Sequence, residues 1–431
     1  MSVRRRALEA LRDVTEKGAY ANLRLKEAQA GMDARDAAWV AAAVYTALDH
    51  LSYIDLAIAR CAKGRPDKAI FAVLRLGIAQ AMFMDTPKRA ACNESVKLAR
   101  EIGKSALSGY VNAVMRAVCD KGMPELPQEP RERLTLEFGY PRFLADEYID
   151  LYGAEFARAL LSSKPGGFSI RAQHPYTAAE LKRHLDEKGL RYTRGALDPE
   201  AFLLEKGFDV SAEPLFLEGK ITVQSEGAML VCRAVEAKPG MKLLDCCAAP
   251  GGKSAYIASL TGGGCEIEAW ELHPHRAELM RKTLARLNVT NVAVIEKDAT
   301  VFDESRAMAF DAVLLDAPCS GLGVTGKPDI RYAKTDAVID GLAATQAKLM
   351  DVCSRYVKPG GRLVYATCTV SRRENGAQAE RFLREHADFS PDVDWLPDGL
   401  RDRAVSGGIQ LFPNVDGTEG FYIAAFARKG A

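Results

Sequence analysis

The chain has 431 residues, of which 48% are hydrophobic and 27% charged, a composition typical of a globular protein of two or three domains. No stretch approaches the roughly 18 uninterrupted apolar residues of a membrane span, and the start MSVRRRALEALRDV has no apolar core for secretion, so a cytoplasmic protein without membrane contact is predicted. A net charge of +1 excludes an overall basic field, although residues 1–140 carry 22 Lys and Arg against 17 Asp and Glu.

Residues 1–125 are predicted to form an all-helical domain. Stretches such as ALEALRDV, KAIFAVLRLGIAQAMFM and CNESVKLAREIGKSALSGYVNAVMRAV repeat apolar residues at helical spacing and are poor in Gly and Pro. The excess of basic residues fits a nucleic-acid partner, but charge alone favours an ordinary solvated surface. Arg4, Arg5 and Arg6 are candidates for phosphate contacts, unless they form a disordered basic terminus.

Residues 131–225 are predicted to form a small α+β unit that links the domains. KGMPELPQEP, with three prolines in ten residues, separates this unit from the helical domain. Strand candidates FSIRAQ and AFLLEKG flank the helical stretch YTAAELKRHLDEKGL.

Residues 226–431 alternate apolar strand candidates with helical stretches. The candidates KLLDCCA, CEIEAWEL, VAVIEKD, FDAVLLDAP and GRLVYATCTV are short and rich in branched residues. This alternation predicts an α/β domain with a parallel sheet covered by helices on both faces, as in Rossmann-like folds. The last candidate, FYIAAFARKG, has no crossover helix after it and is predicted to pair antiparallel at or near an edge.

The first of these strands leads into DCCAAPGGKSAYIASL. Asp245 closes the strand, small residues let a ligand approach the backbone, and a helix begins near Lys253, whose free N–H groups favour negative charge. The stretch is neither G-x-G-x-x-G nor a Walker loop, which makes a dinucleotide or triphosphate site less favoured. A tight strand-to-helix turn without a ligand is the alternative.

Acidic residues close four consecutive strands. Glu271 lies 19 residues beyond Gly252, a spacing that suits recognition of a ribose diol, while Asp298 and Asp316 close the third and fourth strands. Ligands of open α/β sheets bind at this edge. An adenosine site without a phosphate loop predicts S-adenosylmethionine as the cofactor.

Two of the ten cysteines stand at strand ends. The chain has no C-x-x-C pair and no cysteine with a histidine at zinc-ligand spacing, so free thiols and no metal are expected. Cys319 and Cys368 follow the fourth and fifth strands, which are expected to be neighbours. A thiolate that adds to C6 of a cytosine activates C5 toward a methyl donor, so this pair favours chemistry on a pyrimidine over two structural cysteines.

Several motifs resemble those of the RNA cytosine-C5 methyltransferases: LLDCCAAPGGKS, DAPCSGLGV, KPDIRY and YATCTVSRRENG, over roughly 225–428. The amino-terminal third, with CNESVKLAR and SGYVNAVMRAV, is similar to the NusB-type RNA-binding domain. Together they are characteristic of a bacterial subfamily that methylates small-subunit ribosomal RNA (rRNA). The resemblance therefore implies an S-adenosylmethionine-dependent methyltransferase domain preceded by a NusB-like domain, with small-subunit rRNA as the partner.

The resemblance also implies roles for individual residues. Cys368 would be the nucleophile, Cys319 would assist proton removal or product release, Asp316 would hold the cytosine edge, and Lys253 would lie close to the reacting base. The cofactor site would comprise Cys247, Ala248, Ala249, Pro250, Gly251, Gly252, Lys253, Glu271, Asp298 and Asp316.

Three positions depart from the family pattern. Cys246 replaces a larger apolar residue, Glu271 stands where many members have Asp, and Ser225 stands where the family usually has Asp. The first two are conservative, whereas Ser225 makes the junction between the middle unit and the catalytic domain less certain.

Other functions remain open at this stage. A non-catalytic RNA-binding factor would not need Cys368, and a methyltransferase for proteins or small molecules would need neither cysteine. The target could also be a transfer-RNA cytosine, and a monomer is the default expectation.

Overall fold

The computed structural model describes residues 1–64, 66–163, 167–205, 208–324 and 334–430. The motif KPDIRY, at 327–332, lies outside the described residues. The chain divides into two compact units, one built mainly on Met1–Ser162 and the other on Ser163–Thr325 with Asp336–Ala431. The division into domains at 1–125, 131–225 and 226–431 stays a prediction.

The described part of the first unit is all-helical, as predicted for its amino-terminal region. Side chains cap several helix starts: Asp67 accepts from the N–H groups of Ala69 and Ile70, and Glu129 caps a helix that begins with Pro130. The helices are α1 (Val3–Lys17), α2 (Ala21–Gln29), α3 (Ala34–Asp49), α4 (Leu51–Cys61), α5 (Lys68–Phe83), α6 (Lys88–Glu101), α7 (Ser108–Lys121), α8 (Pro130–Phe138), α9 (Arg142–Tyr152) and α10 (Ala154–Ser162).

Helix α5 lies at the centre of this unit, because nearly every residue from Ile70 to Ala81 is buried. A helix that is apolar around most of its circumference must be surrounded by others. The apolar stretch that precedes α5 in the chain forms two helices, α3 and α4, which meet at His50. The His50 ring stacks on the Phe83 ring, with 3.9 Å between the ring centres.

The basic terminus is ordered, so the alternative of a disordered one is wrong. Arg4, Arg5 and Arg6 lie in the first turns of α1. Arg4 pairs with Glu94 at 3.3 Å and Arg5 with Glu9 at 3.1 Å. These side chains therefore already have partners within the unit.

The second unit begins with a small antiparallel sheet in the order β2-β3-β1-β4. Two of its strands match the predicted candidates, whereas β2 and β4 have three residues each, too few to show an alternating pattern. The elements are β1 (Gly167–Ala172), α11 (Ala178–Glu187), β2 (Tyr192–Arg194), β3 (Phe202–Glu205), α12 (Pro214–Leu217) and β4 (Ile221–Val223).

The larger sheet has the order β10-β12-β9-β8-β5-β6-β7, with β11 paired to β12. The pairs from β9 to β7 along this order are parallel, and β12 pairs antiparallel with β9, β10 and β11. The predicted antiparallel last strand therefore lies one place from the edge. The strands are β5 (Lys242–Asp245), β6 (Glu266–Glu271), β7 (Val292–Glu296), β8 (Phe310–Asp316), β9 (Val357–Thr367), β10 (Phe389–Asp392), β11 (Gly408–Leu411) and β12 (Phe421–Arg428).

Apolar cores cover both faces of this sheet. Leu243 and Leu314 belong to one core, and their neighbours Leu244 and Val313 to the other, as expected for strands buried on both sides. This confirms the predicted α/β fold. The helices are α13 (Glu226–Ala234), α14 (Gly252–Leu260), α15 (Pro274–Arg286), α16 (Asp336–Ser354), α17 (Gly376–Glu385), α18 (Asp398–Arg401) and α19 (Pro413–Asp416).

Within the described part of the chain, no helix combines the length and the apolarity that crossing a membrane requires.

Arg171 of β1 joins the small sheet to the start of α14. Its side chain is fully buried, donates to the side-chain oxygens of Gln224 and Gln173 at 2.7 Å each, and reaches the Gly252 carbonyl at 3.4 Å. The guanidinium also lies over the Tyr256 ring at 4.4 Å. A buried cation is tolerated when its donors are satisfied in this way.

We expect Arg171→Met to destabilise the second unit by about 3 kcal/mol, because it leaves several buried oxygens without donors. The thermal unfolding midpoint measures this loss. The exposed Arg183 of α11 offers a matched control, and Arg183→Met should leave the midpoint unchanged. Equal midpoints for the two variants would contradict the role given to Arg171.

Candidate active site

The predicted site residues lie at one edge of the large sheet. Asp245, Glu271 and Asp316 are the last residues of β5, β6 and β8, and Cys368 directly follows β9. Because these four strands are parallel neighbours, their carboxyl ends meet there. Asp298 departs slightly from the prediction, since β7 ends two residues earlier, at Glu296.

The two cysteines lie in contact. The Sγ atoms of Cys319 and Cys368 are 3.3 Å apart, and both residues are half-buried. The sequence predicted that the loops after β8 and β9 would be neighbours, and the sheet order places them so. One thiol is therefore close enough to donate a hydrogen bond to the other.

This contact separates the acidities of the two thiols. The pKa of Cys368 is lowered, first because the Cys319 thiol can donate to its thiolate, and the nearby Lys253 charge acts in the same direction. The pKa of Cys319 is raised well above its usual value, first by the same hydrogen bond and then by burial. This asymmetry favours Cys368 over Cys319 as the thiolate, the form in which a cysteine acts as a nucleophile.

Lys253 and Asp316 form an ion pair beside the cysteines. Their Nζ and Oδ2 atoms are 2.6 Å apart, and Lys253 Nζ lies 5.6 Å from the centre of the Phe421 ring. Burial opposes the lysine charge, but the Asp316 carboxylate outweighs it and raises the pKa of Lys253. The family resemblance named both residues but not their pairing, and Phe421 was not predicted, because its position depends on β12.

The loop from Cys247 to Lys253 connects β5 to α14. Gly251 has a φ of +99°, and a Cβ there would approach Met280 to 2.9 Å, so glycine is required. Gly252 begins α14 without a side-chain cap, which leaves N–H groups of the first turn open to a ligand. The remaining predicted members of this loop are Ala248, Ala249 and Pro250.

Glu271 is fixed by two neighbours at the end of β6. Its carboxylate is 2% exposed, accepts from the His273 N–H at 2.9 Å and pairs with Arg276 at 3.1 Å. Arg276 also donates to the Ala249 carbonyl at 2.9 Å, which ties this acid to the glycine-rich loop. Arg276 was not predicted as a site residue, although a basic residue in the first turn of α15, five residues after Glu271, could have indicated a partner for that acid.

The Asp298 side chain accepts a hydrogen bond within the loop that follows β7. Its Oδ1 accepts from the Thr300 N–H at 2.8 Å, and hydrogen bonds from Thr300 lower the pKa of the carboxyl group. Asp298 is therefore ionised near neutral pH, at the same sheet edge as Glu271.

These residues fit S-adenosylmethionine. The Asp245 side chain is buried, Ser254 donates to its Oδ2 at 2.6 Å, and its Oδ1 has no hydrogen-bond partner among the described residues. Glu271 supplies a second buried acid, and the open start of α14 supplies N–H groups. A ligand with donor groups, a ribose and a carboxylate matches this set.

A cleft of about 1000 Å³ is lined by residues of the small sheet and of the segment 413–419. Its lining includes Phe168 of β1, Arg191 and Tyr192 at the start of β2, and Thr418 and Glu419. The backbones of Gly420 and Gly323 are joined by a hydrogen bond of 2.8 Å, and the Gly323 N–H bonds the Cys368 carbonyl at 3.1 Å. The cleft therefore ends within a few residues of the thiol pair.

Two family models match the chain. Residues 232–427 match the model described as 16S rRNA methyltransferase RsmB/F, and residues 1–120 match the NusB family. The relatives include a protein from Bacillus subtilis named probable ribosomal RNA small subunit methyltransferase B. It is 34% identical over 100% of this chain and 99% of its own length.

Two solved structures share the fold. The crystal structure of PH0851 covers 99% of both chains with a TM-score of 0.81 at 23% identity. A methyltransferase homolog from Pyrococcus horikoshii covers 70% of this chain and 100% of its own, with a TM-score of 0.60 at 29% identity.

Proposed function

The chain belongs to the 16S rRNA methyltransferase RsmB/F family, and we propose that it methylates C5 of a cytosine in 16S rRNA through a covalent bond to Cys368, with S-adenosylmethionine as the methyl donor. The observation that carries the mechanism is the 3.3 Å contact between the Cys319 and Cys368 sulfur atoms at the ends of two parallel strands. The chemistry of a methyltransferase that acts on proteins or small molecules does not require such a pair of thiols.

The Cys368 thiolate adds to C6 of the cytosine, which turns the C5–C6 double bond into an enamine with a nucleophilic C5. S-adenosylmethionine, when bound, supplies the methyl group to C5. A base then removes the proton from C5, the double bond reforms, and the C6–sulfur bond breaks to release Cys368. Cys319, in contact with the leaving sulfur, assists proton removal or release.

Asp316 selects the base in this proposal. Its carboxylate accepts from the N4 amino group of cytosine, whereas uracil has a carbonyl oxygen at that position and repels it. Lys253, held by Asp316 at 2.6 Å, keeps a positive charge close to the reacting base.

The cofactor lies along the ends of β5, β6 and β7 in this proposal. Glu271 and Asp298 hold the ribose side, the open N–H groups at Gly252 hold the carboxylate, and the free oxygen of Asp245 accepts from a donor of the amino-acid portion. The small residues Ala248 and Ala249, with Cys247, Pro250 and Gly251, allow the close approach.

The RNA strand follows the cleft beside the thiol pair. Phe168 and Tyr192 offer rings on which flanking bases can stack, and Arg191 offers a phosphate contact. The target base must be single-stranded or flipped out to reach Cys368. The NusB-like region supplies further RNA contacts. The protein acts in the cytoplasm, where rRNA is assembled into ribosomes, and it acts as a monomer.

Incubating the protein with 16S rRNA and labelled S-adenosylmethionine tests the proposal directly. We expect the label to appear as 5-methylcytosine at one position, which nuclease mapping identifies. Transfer RNA serves as the comparison substrate. Label confined to transfer RNA, or present on any group other than cytosine C5, would refute the proposal.

Asp245 gives a pH-dependent prediction. Burial raises the pKa of this carboxyl group to about 7, although the Ser254 hydrogen bond opposes the shift. The folded chain therefore holds a proton that the unfolded chain loses near pH 4, and this contribution to stability falls as pH rises from about 4 through 7.

We expect the free energy of unfolding of the wild type to fall relative to that of Asp245→Asn as the pH rises through that range, by up to about 1.4 kcal/mol per pH unit. Urea unfolding of both proteins at several pH values between 5 and 8 measures it. A difference that does not change with pH would show that Asp245 ionises with an ordinary pKa.

A further inference from the structure

Two thiols in contact are chemically alike, so their surroundings must decide which one loses its proton. Cys319 and Cys368 are both half-buried and both follow a strand of the same parallel sheet. The hydrogen bond between them is compatible with either direction of donation. The surroundings of the two loops are different.

The loop of Cys319 rests on a buried carboxylate. Glu374 is fully buried and accepts from the Ser320 N–H at 2.8 Å, from the Ser320 hydroxyl at 2.5 Å and from the Gln346 amide at 3.0 Å. Ser320 directly follows Cys319. A negative charge thus lies one residue from the Cys319 thiol, and the contacts that hold it come from neutral donors.

The loop of Cys368 rests mainly on a neutral amide, since its contact with Glu374 is the longer one, from the Thr369 hydroxyl at 3.4 Å. Asn375, next to Glu374, accepts from the Thr367 hydroxyl at 2.5 Å and donates to the Thr369 carbonyl at 3.0 Å. These two threonines flank Cys368. The dipeptide Glu374–Asn375 therefore anchors both loops: the acid holds the Cys319 loop through its shorter hydrogen bonds, and the amide holds the Cys368 loop.

Other ionisable groups also face the pair. Lys253 favours ionisation of Cys368, while Asp316 and Glu419 oppose it. Glu374 opposes ionisation of Cys319. At Cys368 the Lys253 charge offsets part of the effect of these carboxylates, whereas none of the main influences on the pKa of Cys319 is a cation that offsets Glu374.

We propose that Glu374 is a positioning residue that keeps Cys319 protonated and directed at Cys368, so that Cys368 is the thiolate. This inference deepens the proposed function and takes its chemical meaning from it. The asymmetry of the two thiols exists without RNA or cofactor, so it can be measured on the protein alone.

Alkylation with iodoacetamide, followed by peptide mass analysis, measures which thiol is ionised. In the wild type we expect Cys368 to be labelled before Cys319. Glu374→Gln keeps the shape of the side chain and one accepting oxygen, and its NH2 group can donate to the Ser320 hydroxyl instead, while the charge is removed. The Cys368-to-Cys319 labelling ratio should then fall about 10-fold, the equivalent of one pKa unit.

Glu380→Gln is the matched control. Glu380 lies in the helix that follows, pairs with Arg372 at 3.0 Å and is partly exposed, so its loss should leave the labelling ratio unchanged. An unchanged ratio in a Glu374→Gln protein whose unfolding midpoint is near that of the wild type would overturn the proposal.

A second measurement leaves Glu374 in place and so does not depend on that variant folding. We expect Cys319 in the Cys368→Ser variant to be alkylated with a pH midpoint above that of Cys368 in the Cys319→Ser variant, each followed by mass analysis of its own peptide. Equal or reversed midpoints would overturn the proposal. Because no RNA is used, this result is independent of whether 16S rRNA is the substrate.

Discussion

We expect the Cys319→Ala variant to stay covalently attached to its RNA. Cys368 still carries the thiol that attacks C6, but the group in contact with the leaving sulfur is gone, so release of the product slows by about 10²-fold or more. The covalent species accumulates as a slowly migrating band when labelled RNA, S-adenosylmethionine and the variant are separated on a denaturing gel.

The Cys368→Ala variant gives the opposite result, since it has no nucleophile: we expect neither a slow band nor 5-methylcytosine. Cys61→Ala is the control, because Cys61 is a half-buried thiol at the end of α4, and this variant should turn over like the wild type. A slow band with Cys368→Ala, and none with Cys319→Ala, would exchange the roles of the two cysteines.

Asp316→Asn should lower kcat/KM by about 10²-fold, the effect of losing a charge-assisted hydrogen bond to the base. The change also leaves Lys253 without its ion-pair partner at 2.6 Å. In the Cys319→Ala background, the same substitution should reduce the amount of covalent species, because the base is no longer held against Cys368.

Asp311 provides the control for this change. It lies near the start of the same strand, β8, and pairs with Lys358 at 2.7 Å, far along the strand from the thiols. Asp311→Asn should therefore retain kcat/KM. If Asp316→Asn had the kcat/KM of the wild type, Asp316 would have no part in recognition of the base.

The sequence was sufficient to predict the sheet edge, because runs such as FDAVLLD and GRLVYAT end in residues with chemical function. Their parallel order follows from the alternation with helices, and it brings Cys319 and Cys368 together although 49 residues separate them. The start of α14 was also predictable from its glycines. These features depend on local patterns and on the general topology of α/β sheets.

Contacts made by single side chains across loops were not predictable. Glu374 meets Ser320 across 54 residues, and Arg171 meets Gly252 across 81. Both contacts depend on backbone conformations that no periodic pattern encodes. The sequence also did not predict that β7 ends before Asp298, or that β2 and β4 exist. Strands of three residues are too short to show an alternating pattern.

The position of β12 has a consequence for proteolytic damage to the protein. Residues Phe421–Arg428 follow both cysteines in the chain, yet they pair with β9 up to Thr367, the residue before Cys368, and Gly420 supports the loop of Gly323. The surroundings of the thiol pair therefore depend on a strand that lies more than 50 residues beyond Cys368. A cut that removed β12 would leave both cysteines in the chain without the strand that supports their loops.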